Sequence, residues 1–416
     1  IGVRLVGSEM CIRDSSTTHP STDKQFKLGQ YLVNELHSIG VENAYLDENG
    51  YVYGYIPSNS NCTTTIGLIA HMDTSPDCSG FHVNPRIIEN YDGKDIILNK
   101  ELNFILSSTE FSSLKKKIGH TLITTDGTTL LGADDKSGIC IIVSAVERIM
   151  KEHIRHPNLI ITFTPDEEIG EGTTNFNYSY YREKNCHIAY TLDGGDIAYL
   201  SFENFNAASC KITIRGKSIH PGSAKGKMVN SISIASEIIG LFPKSEVPEL
   251  TENREGFFHL TDINGNVEKT TLSYIIRNHD THLFQKQKEF VQKIVNFIND
   301  KYGSSTATID LKDSYYNMRD LVLKEPEILE YAIKALKRNH IDPEFEAIRG
   351  GTDGAKLSFE GILTPNLGTG GENFHGPYEY LDATDMMKMI DVIISLVELI
   401  LSLIHISEPT RRTPIS

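Results

Sequence analysis

The feature that most constrains the fold is a set of short apolar runs separated by helical segments. Strand-like runs occupy 51–56, 65–70, 159–163 and 187–191. Apolar residues recur at helical spacing over 23–40 and 138–150. Strands that alternate with helices predict an α/β sheet with helices on both faces. In such a fold, ligands bind beyond the carboxyl ends of the strands.

The middle of the chain has a different pattern, which predicts a second domain. Strand candidates at 208–214, 257–263 and 270–276 accompany helix candidates at 229–241 and 283–302, as in an α+β module. After residue 315 the first pattern returns, with a helix predicted over 326–338. The chain has 416 residues, more than one hydrophobic core usually serves. We therefore predict a discontinuous main domain (16–205 and 315–400) with an inserted domain (206–314).

The two ends differ from the rest of the chain. Residues 1–15 show neither helical periodicity nor the apolar core of a signal peptide. Both this segment and 401–416 resemble translated adapter sequence at the ends of metagenomic gene models. We expect both to be foreign, with flexible native tails as the alternative.

Charge and cysteine content narrow the classes of partner. The formal net charge of −15 repels nucleic acid and anionic membrane surfaces, so we expect small solutes and neither nucleic acid nor membrane as partners. The apolar stretch 386–406 contains Lys388, Asp391 and Glu398, which predicts an amphipathic helix. Six scattered cysteines without a C-x-x-C pair indicate reduced thiols and a cytoplasmic location.

Side chains that can bind metal follow one predicted strand directly. His71 and Asp73 are two residues apart, so they project to the same face of an extended chain. A neutral imidazole suits zinc, and a carboxylate beside it can orient the ring. A single His-x-Asp pair is about as often incidental as functional.

Further acidic clusters occur in equivalent places, and their repetition is the evidence for a site. They are Asp134-Asp135, Asp166-Glu167-Glu168 and Asp193. Each alone also fits a solvated turn or a helix cap. Clustered carboxylates repel one another, and a bound dication is the usual means of neutralising them. His375, in a glycine-rich loop, adds a second imidazole, so the set predicts paired zinc ions.

In their order along the chain, these motifs resemble those of a known family. The motifs are His71-x-Asp73, Gly132-Ala-Asp134-Asp135, Pro165-Asp-Glu167-Glu168, Asp193 and His375. They are similar to the tripeptide aminopeptidase branch of the co-catalytic two-zinc exopeptidases. The resemblance extends over 17–400 and includes 202–208, 220–222, 313–319 and 348–354. It implies a zinc-exopeptidase-like α/β catalytic domain, with a mixed sheet and a smaller inserted α+β lid that would allow a homodimer.

The resemblance also implies a set of metal ligands. Two Zn²⁺ ions per subunit are expected, with Co²⁺ or Mn²⁺ as substitutes. Asp134 would bridge the two ions. His71 and Asp193 would complete one site, and Glu168 and His375 would complete the other.

The catalytic roles follow from the same resemblance. The expected reaction is hydrolysis of the N-terminal peptide bond of tripeptides by a zinc-bridging hydroxide, with Glu167 as general base. Asp73 would orient His71, and His220 of the lid would help to stabilise the oxyanion. The peptide bond between Asp134 and Asp135 is expected to be cis.

A preference for very short peptides requires a group that binds the far end of the substrate. Arg277 and Arg349 carry charged forks suited to a carboxylate, and Asn230 can donate another hydrogen bond. We hypothesise that lid closure brings the C-terminal carboxylate against Arg277, with help from Asn230 or Arg349. Surface ion pairing is the alternative for either arginine.

Two other functions remain open. A related two-zinc dipeptidase or N-acyl-amino-acid deacylase would use the same metals, and a substrate panel would separate these activities. A non-catalytic binding protein would be expected to lack Glu167 or a ligand, and all of these residues are present.

Overall fold

The structure is a computed structural model in which residues 18–407 are described, with side chains as far as residue 402. The β-strands are β1 (Tyr45–Leu46), β2 (Val52–Ile56), β3 (Thr65–His71), β4 (Arg86–Ile88), β5 (Ile96–Asn99), β6 (Phe104–Leu106), β7 (Leu122–Thr124), β8 (Asn158–Thr164), β9 (Cys186–Leu192), β10 (Tyr199–Asn204), β11 (Asn206–Arg215), β12 (Phe257–Gly265), β13 (Lys269–Asn278), β14 (Ala307–Tyr315), β15 (Glu344–Ile348), β16 (Asn366–Leu367), β17 (Gly371–Glu372) and β18 (Tyr380–Asp382). The α-helices are α1 (Lys24–Ser38), α2 (Ala133–Lys151), α3 (Tyr178–Glu183), α4 (Ser231–Leu241), α5 (Thr281–Tyr302), α6 (Arg319–Val322), α7 (Glu327–Arg338), α8 (Asp353–Phe359) and α9 (Ala383–Ser407).

The chain divides into two compact units. Among the described residues, unit 1 comprises 18–202, 320–346 and 352–407, and unit 2 comprises 203–319 and 347–351. The predicted lid, 206–314, lies within unit 2, which also takes in short flanking segments. Arg349 belongs to one of those segments, whereas the predicted boundary placed it in the catalytic domain.

Unit 1 is built on a mixed sheet of eight strands, in the order β1-β2-β8-β3-β9-β16-β10-β15. β3 pairs in parallel with β8 and β9, and β9 pairs in parallel with β16. The carboxyl ends of these strands therefore meet at one edge of the sheet. β3 is buried along its whole length, as its continuous apolar sequence predicts for a strand covered on both faces. The predicted α/β class with a mixed sheet is confirmed.

Amphipathic helices pack against this sheet and against one another. On α1, the buried residues Leu28, Leu32, Val33 and Leu36 form one apolar face that lies against β2. Burying each such side chain stabilises the fold by about 1.5–3 kcal/mol. α2 packs against β3 and β9, and α9 packs against α2 and α7.

The last helix includes the apolar stretch near the end of the sequence. α9 covers the predicted amphipathic helix at 386–406. The expected foreign tail 401–416 begins inside this helix, and its remainder lies outside the described residues, as does the segment 1–15. Within 18–407, no helix combines the length and the apolar character needed to cross a membrane.

Unit 2 is an antiparallel sheet covered by two helices. The strand order is β12-β13-β11-β14, and α4 and α5 pack against β13. Side chains alternate between buried and partly exposed along β13, which is typical of a sheet with one covered face. Leu272, Ile276, Val291 and Ile298 are among the residues of the resulting core.

A smaller antiparallel sheet in unit 1 was not predicted. Its order is β17-β18-β7-β4, and β4, β7 and β18 have three residues each. Runs this short carry no readable periodicity. The sheet matters because β17 leads into the loop that carries His375.

Candidate metal centre

The predicted metal ligands lie where the parallel strands of unit 1 end. His71 is the last residue of β3, and Asp193 follows β9 directly. Glu168 lies in the loop after β8. Asp134 is at the start of α2, and His375 lies in the loop after β17. Segments far apart in sequence therefore contribute to one site.

Asp134 lies between the two predicted histidines. Its Oδ1 is 2.9 Å from His71 Nε2, and its Oδ2 is 3.4 Å from His375 Nε2. His375 Nε2 is also 3.0 Å from Glu168 Oε2, while His71 Nε2 is 4.0 Å from Asp193 Oδ1. The side chains therefore form two groups that share Asp134, each with one imidazole and one further carboxylate.

The imidazole and carboxylate groups of these residues are suited to bind divalent metal ions. Ligand atoms of His71, Asp134 and Glu168 lie within 4.8 Å of one another. Glu168 Oε1 is buried and has no hydrogen-bond partner among the described residues, although a buried carboxylate oxygen is costly to leave unpaired. Imidazole and carboxylate groups are suitable zinc ligands. A bound dication would satisfy this oxygen and neutralise the clustered charge.

The pKa shifts of these side chains, without any bound ion, also agree with a site for divalent metal. Burial, with a further contribution from the charge of Asp134, raises the pKa of Asp193 and the pKa of Glu168 to about 7. Hydrogen bonding to Asp134 and then to Glu168 raises the pKa of His375 to about 11. In the absence of cations, protons would have to compensate these carboxylates. The arrangement and charge of these residues therefore support a metal-binding centre at this place.

Asp73 contacts both His71 and the loop after β8. Its Oδ1 lies 3.3 Å from His71 Nδ1, as expected for an orienting carboxylate. The same carboxylate accepts hydrogen bonds from the backbone N–H groups of Glu167 and Glu168, at 3.1 and 3.0 Å. One fully buried side chain therefore connects the first histidine to the pair of glutamates.

Asp135 binds the backbone, although it also has a ligand atom within 4.8 Å of those of His71 and Asp193. Its carboxylate accepts hydrogen bonds from the N–H groups of His71 and Gly138, at 3.2 and 3.1 Å. The regular part of α2 begins after Asp135, so the bond to Gly138 caps the helix. The peptide bond between Asp134 and Asp135 is cis, as predicted.

Glu379 holds the loop that presents Asp134, and the sequence analysis missed it. Its Oε2 accepts hydrogen bonds from the N–H groups of Leu131 and Gly132 at 2.6 and 2.8 Å, and its Oε1 accepts one from Asp134 N at 3.2 Å. Gly132 has a φ of +76°, which favours glycine. No sequence motif marks Glu379, since it lies 245 positions from Asp134.

Glu167, the predicted general base, is partly buried beside these groups. Burial, followed by the negative charge of Asp193, raises the pKa of Glu167 well above its usual range. A carboxylate with a raised pKa can take up and release a proton near neutral pH. The side chain therefore has the electrostatic properties that its predicted role requires.

A third cluster of histidine and carboxylate groups in unit 1 already includes a positively charged lysine side chain. His120 Nδ1 is 2.6 Å from Asp382 Oδ2 and 3.8 Å from Asp385 Oδ1. Lys117 Nζ lies 2.8 Å from Asp385 Oδ2 and 3.6 Å from Asp382 Oδ2. Because a buried ammonium group neutralises these acids, we interpret this cluster as structural.

His220 and Asn230 lie in unit 2 and have local partners. His220 is exposed, and its Nδ1 accepts a hydrogen bond from Gly222 N at 3.1 Å. Asn230 caps α4, because its Oδ1 accepts a hydrogen bond from Ile232 N at 2.9 Å. Their roles in substrate binding remain predictions, and Asn230 also has a structural role.

Arg277 and Arg349 differ in the number of hydrogen-bond partners that their guanidinium groups have. Arg349 donates to the carbonyls of Asn253 and Glu255, at 2.8 and 3.1 Å, and to Thr251 Oγ1 at 3.0 Å. Within the described residues, the side-chain hydrogen bonds of Arg277 come from Nη1 alone and go to two carbonyls, at 3.0 and 3.4 Å. Arg277 is therefore better suited than Arg349 to bind a substrate carboxylate.

Comparisons with known proteins identify the class. Residues 202–306 match the peptidase dimerisation domain. The aminopeptidase PepT from Bacillus cereus has the same fold, with a TM-score of 0.75 and 20% identity over 96% of this chain and 97% of that chain. The YXEP protein of Bacillus subtilis, described as a dinuclear metal-binding peptidase of the M20 family, matches with a TM-score of 0.61 and 14% identity over 96% of this chain and 98% of that chain. Together with the relatives in sequence, the fold and the site define a metal-binding peptidase.

The sequence comparison defines the family within that class. Peptidase T of Clostridium acetobutylicum is 50% identical over 388 residues, which cover 93% of this chain and 94% of the relative. Peptidase T of Caldanaerobacter subterraneus is 51% identical over 388 residues, with the same coverage of both chains. The chain belongs to the peptidase T family, which confirms the branch that the motifs indicated.

Proposed function

We propose that this chain is a zinc-dependent tripeptide aminopeptidase that hydrolyses the first peptide bond of its substrate. The observation that carries the proposal is the position of Asp134 between two imidazole–carboxylate groups, with Glu167 in the adjoining loop. The 50% identity with peptidase T over nearly the whole chain supports the choice of substrate class.

In this proposal two Zn²⁺ ions are held by five side chains. Asp134 is shared, His71 and Asp193 belong to one ion, and Glu168 and His375 belong to the other. Bound zinc supplies a water of lowered pKa and polarises the carbonyl of the scissile bond. The hydrogen bonds that Asp73 and Glu379 accept support the proposal, because they hold the metal-ligand side chains in place before any ion binds.

The chain's own groups handle the protons and hold the substrate. Glu167 takes a proton from the attacking water and returns it to the leaving amine. Asp73 keeps the His71 ring in place while fixing the backbone from which Glu167 projects. His220 donates a hydrogen bond to the developing oxyanion, and Arg277 binds the C-terminal carboxylate.

We also propose that the enzyme is cytoplasmic and dimerises through unit 2. Five cysteines in the described part of the chain are free thiols, which is typical of a reducing compartment. The match of 202–306 to the peptidase dimerisation domain supports the dimer. Short peptides are the expected substrates.

The proposed activity is tested with a tripeptide, its N-acetyl derivative, a dipeptide and an N-acyl amino acid, each with and without a chelator. We expect cleavage of the free tripeptide at its first peptide bond, with release of one amino acid and a dipeptide. Chelation should reduce the rate to background, and added Zn²⁺ should restore it. Faster turnover of the N-acyl amino acid would instead identify a deacylase, and faster turnover of the dipeptide a dipeptidase.

The proposed carboxylate contact predicts a loss of discrimination in Arg277→Ala. Hydrogen bonds to a charged group contribute about 1.5–3 kcal/mol, so the preference for a tripeptide over its C-terminal amide should fall by roughly 10- to 100-fold in kcat/KM. Arg349→Ala is the second variant, and its effect should be smaller, because the guanidinium of Arg349 already binds 251–255. If both variants keep the preference of the parent enzyme, neither arginine binds the carboxylate.

A further inference from the structure

The segment before α1 and the first turn of that helix bind the loop that carries Glu167. Ser21 N donates to both carboxylate oxygens of Asp166, at 3.1 and 2.8 Å, and Ser21 Oγ donates to Oδ1 at 2.6 Å. Gln25 Nε2 donates to Asp166 Oδ1 at 2.7 Å, and Gln25 Oε1 accepts from Asp166 N at 3.1 Å. Ser21, Gln25 and Asp166 are all buried, so this contact is shielded from water.

The geometry of Gln25 makes the contact specific. Its amide group donates to the side chain of Asp166 and accepts from the backbone of the same residue. Such a two-point contact fixes both the position and the rotation of the Asp166 peptide unit. Ser21 adds donors from its backbone and its hydroxyl, and the His19 ring lies 3.6 Å from Asp166 Oδ2. The carboxylate is thus surrounded by donors from one short segment.

The loop is held from its other side by Asp73. The N–H groups of Glu167 and Glu168 both point to the Asp73 carboxylate. Asp166 itself has a φ of +57°, a left-handed conformation that few residues other than glycine adopt and that aspartate tolerates. The chain therefore turns at Asp166, and the next two residues face the metal centre while Asp166 faces α1.

We propose that the segment 19–25 positions the catalytic loop, with Ser21, Gln25 and Asp166 acting as positioning residues for Glu167. The proposal rests on the proposed function for its catalytic consequence. Its structural part, that these residues keep the loop in one conformation, stands on the hydrogen bonds alone. Binding of the tripeptide does not involve this contact, so its loss should affect kcat far more than KM.

The test compares Gln25→Ala with Gln30→Ala in the whole, metal-loaded protein. Gln30 is an exposed glutamine on the same helix, so its replacement controls for changes in α1. Loss of an orienting contact typically costs about 10- to 100-fold, and we expect kcat of Gln25→Ala to fall by that factor with KM nearly unchanged. Gln30→Ala should match the parent enzyme.

Hydrogen–deuterium exchange of 164–172 supplies a readout that does not need activity. Exchange at Glu167 and Glu168 should be faster in Gln25→Ala than in Gln30→Ala, with the rest of unit 1 unchanged. Failure of the proposed function would appear as an inactive parent enzyme, while the exchange comparison would still test the positioning. Equal loop exchange in the two variants overturns the proposal, as does an unchanged kcat in an active enzyme.

A second variant guards against misfolding and tests the contact directly. Gln25→Glu places a carboxylate against Asp166, so like charges should displace the loop and lower kcat further. Adding Asp166→Asn should restore part of the activity and part of the exchange protection, because the amide–carboxylate pair is re-formed with its polarity reversed. If the double variant is no better than Gln25→Glu on either measure, the pairing has no positioning role.

Discussion

Glu167→Gln should lower tripeptide turnover by roughly 10²- to 10⁴-fold, the usual contribution of a general base, while the metal content stays unchanged. The substitution keeps the size of the side chain and removes its ability to accept a proton. The backbone contact from Glu167 N to Asp73 does not depend on the side chain, so the loop should hold its place. Steady-state kinetics and metal analysis of the same preparation provide the measurement.

The neighbouring glutamate supplies the control for that experiment. Glu168 Oε2 lies 3.0 Å from His375 Nε2, and its backbone makes the equivalent contact to Asp73. Glu168→Gln should therefore lose bound metal, whereas Glu167→Gln should not. If Glu167→Gln lost metal and Glu168→Gln retained it, the two roles would be the reverse of those proposed.

The elements that the sequence predicts well are those whose own residues show a clear apolar pattern. The apolar runs at 65–70, 159–163 and 187–191 correspond to β3, β8 and β9 within one residue at each end. Fully buried parallel strands produce continuous apolar runs, and such runs are readable without knowledge of the partner strand. Because the proposed metal ligands lie at the ends of these strands, the carboxyl-end rule also predicted where His71 and Asp193 would lie.

The residues that sequence missed act through partners far away in the chain. Glu379 binds the backbone at Asp134 from 245 positions away, and Gln25 binds Asp166 from 141 positions away. Neither contact leaves a periodic or spaced pattern. The second function of Asp73 was missed for the same reason, since the pairing of β3 with β8 brings the loop after β8 to it.

The start of α1 shows a tertiary contact in the place of a local one. Thr22 and Gln25 have the spacing of a capping box, in which the threonine and glutamine side chains each bind a backbone N–H at the start of the helix. In the structure, Thr22 Oγ1 is buried without a hydrogen-bond partner among the described residues, and the Gln25 amide pairs with Asp166 instead. A tertiary contact here has replaced the local one that the sequence favours.

His375→Ala should remove one of the two proposed metal ions, because it deletes an imidazole ligand and leaves only carboxylates on that side of the centre. His375 Nε2 lies 3.0 Å from Glu168 Oε2 and 3.4 Å from Asp134 Oδ2. The ion held by His71 and Asp193 should remain, since those residues are untouched. Metal content per chain, measured after dialysis at fixed pH, gives the result directly.

The chain offers a matched control at His340, another exposed histidine with a positive φ. The φ values are +66° for His375 and +60° for His340. Alanine in that conformation is strained to a similar degree at both positions, so the backbone effect cancels in the comparison. His340→Ala should keep the full metal content and the full rate, whereas His375→Ala should lose an ion and nearly all turnover. Equal metal content in the two variants would remove His375 from the ligand set and leave Glu168 and Asp134 to hold the second ion without an imidazole.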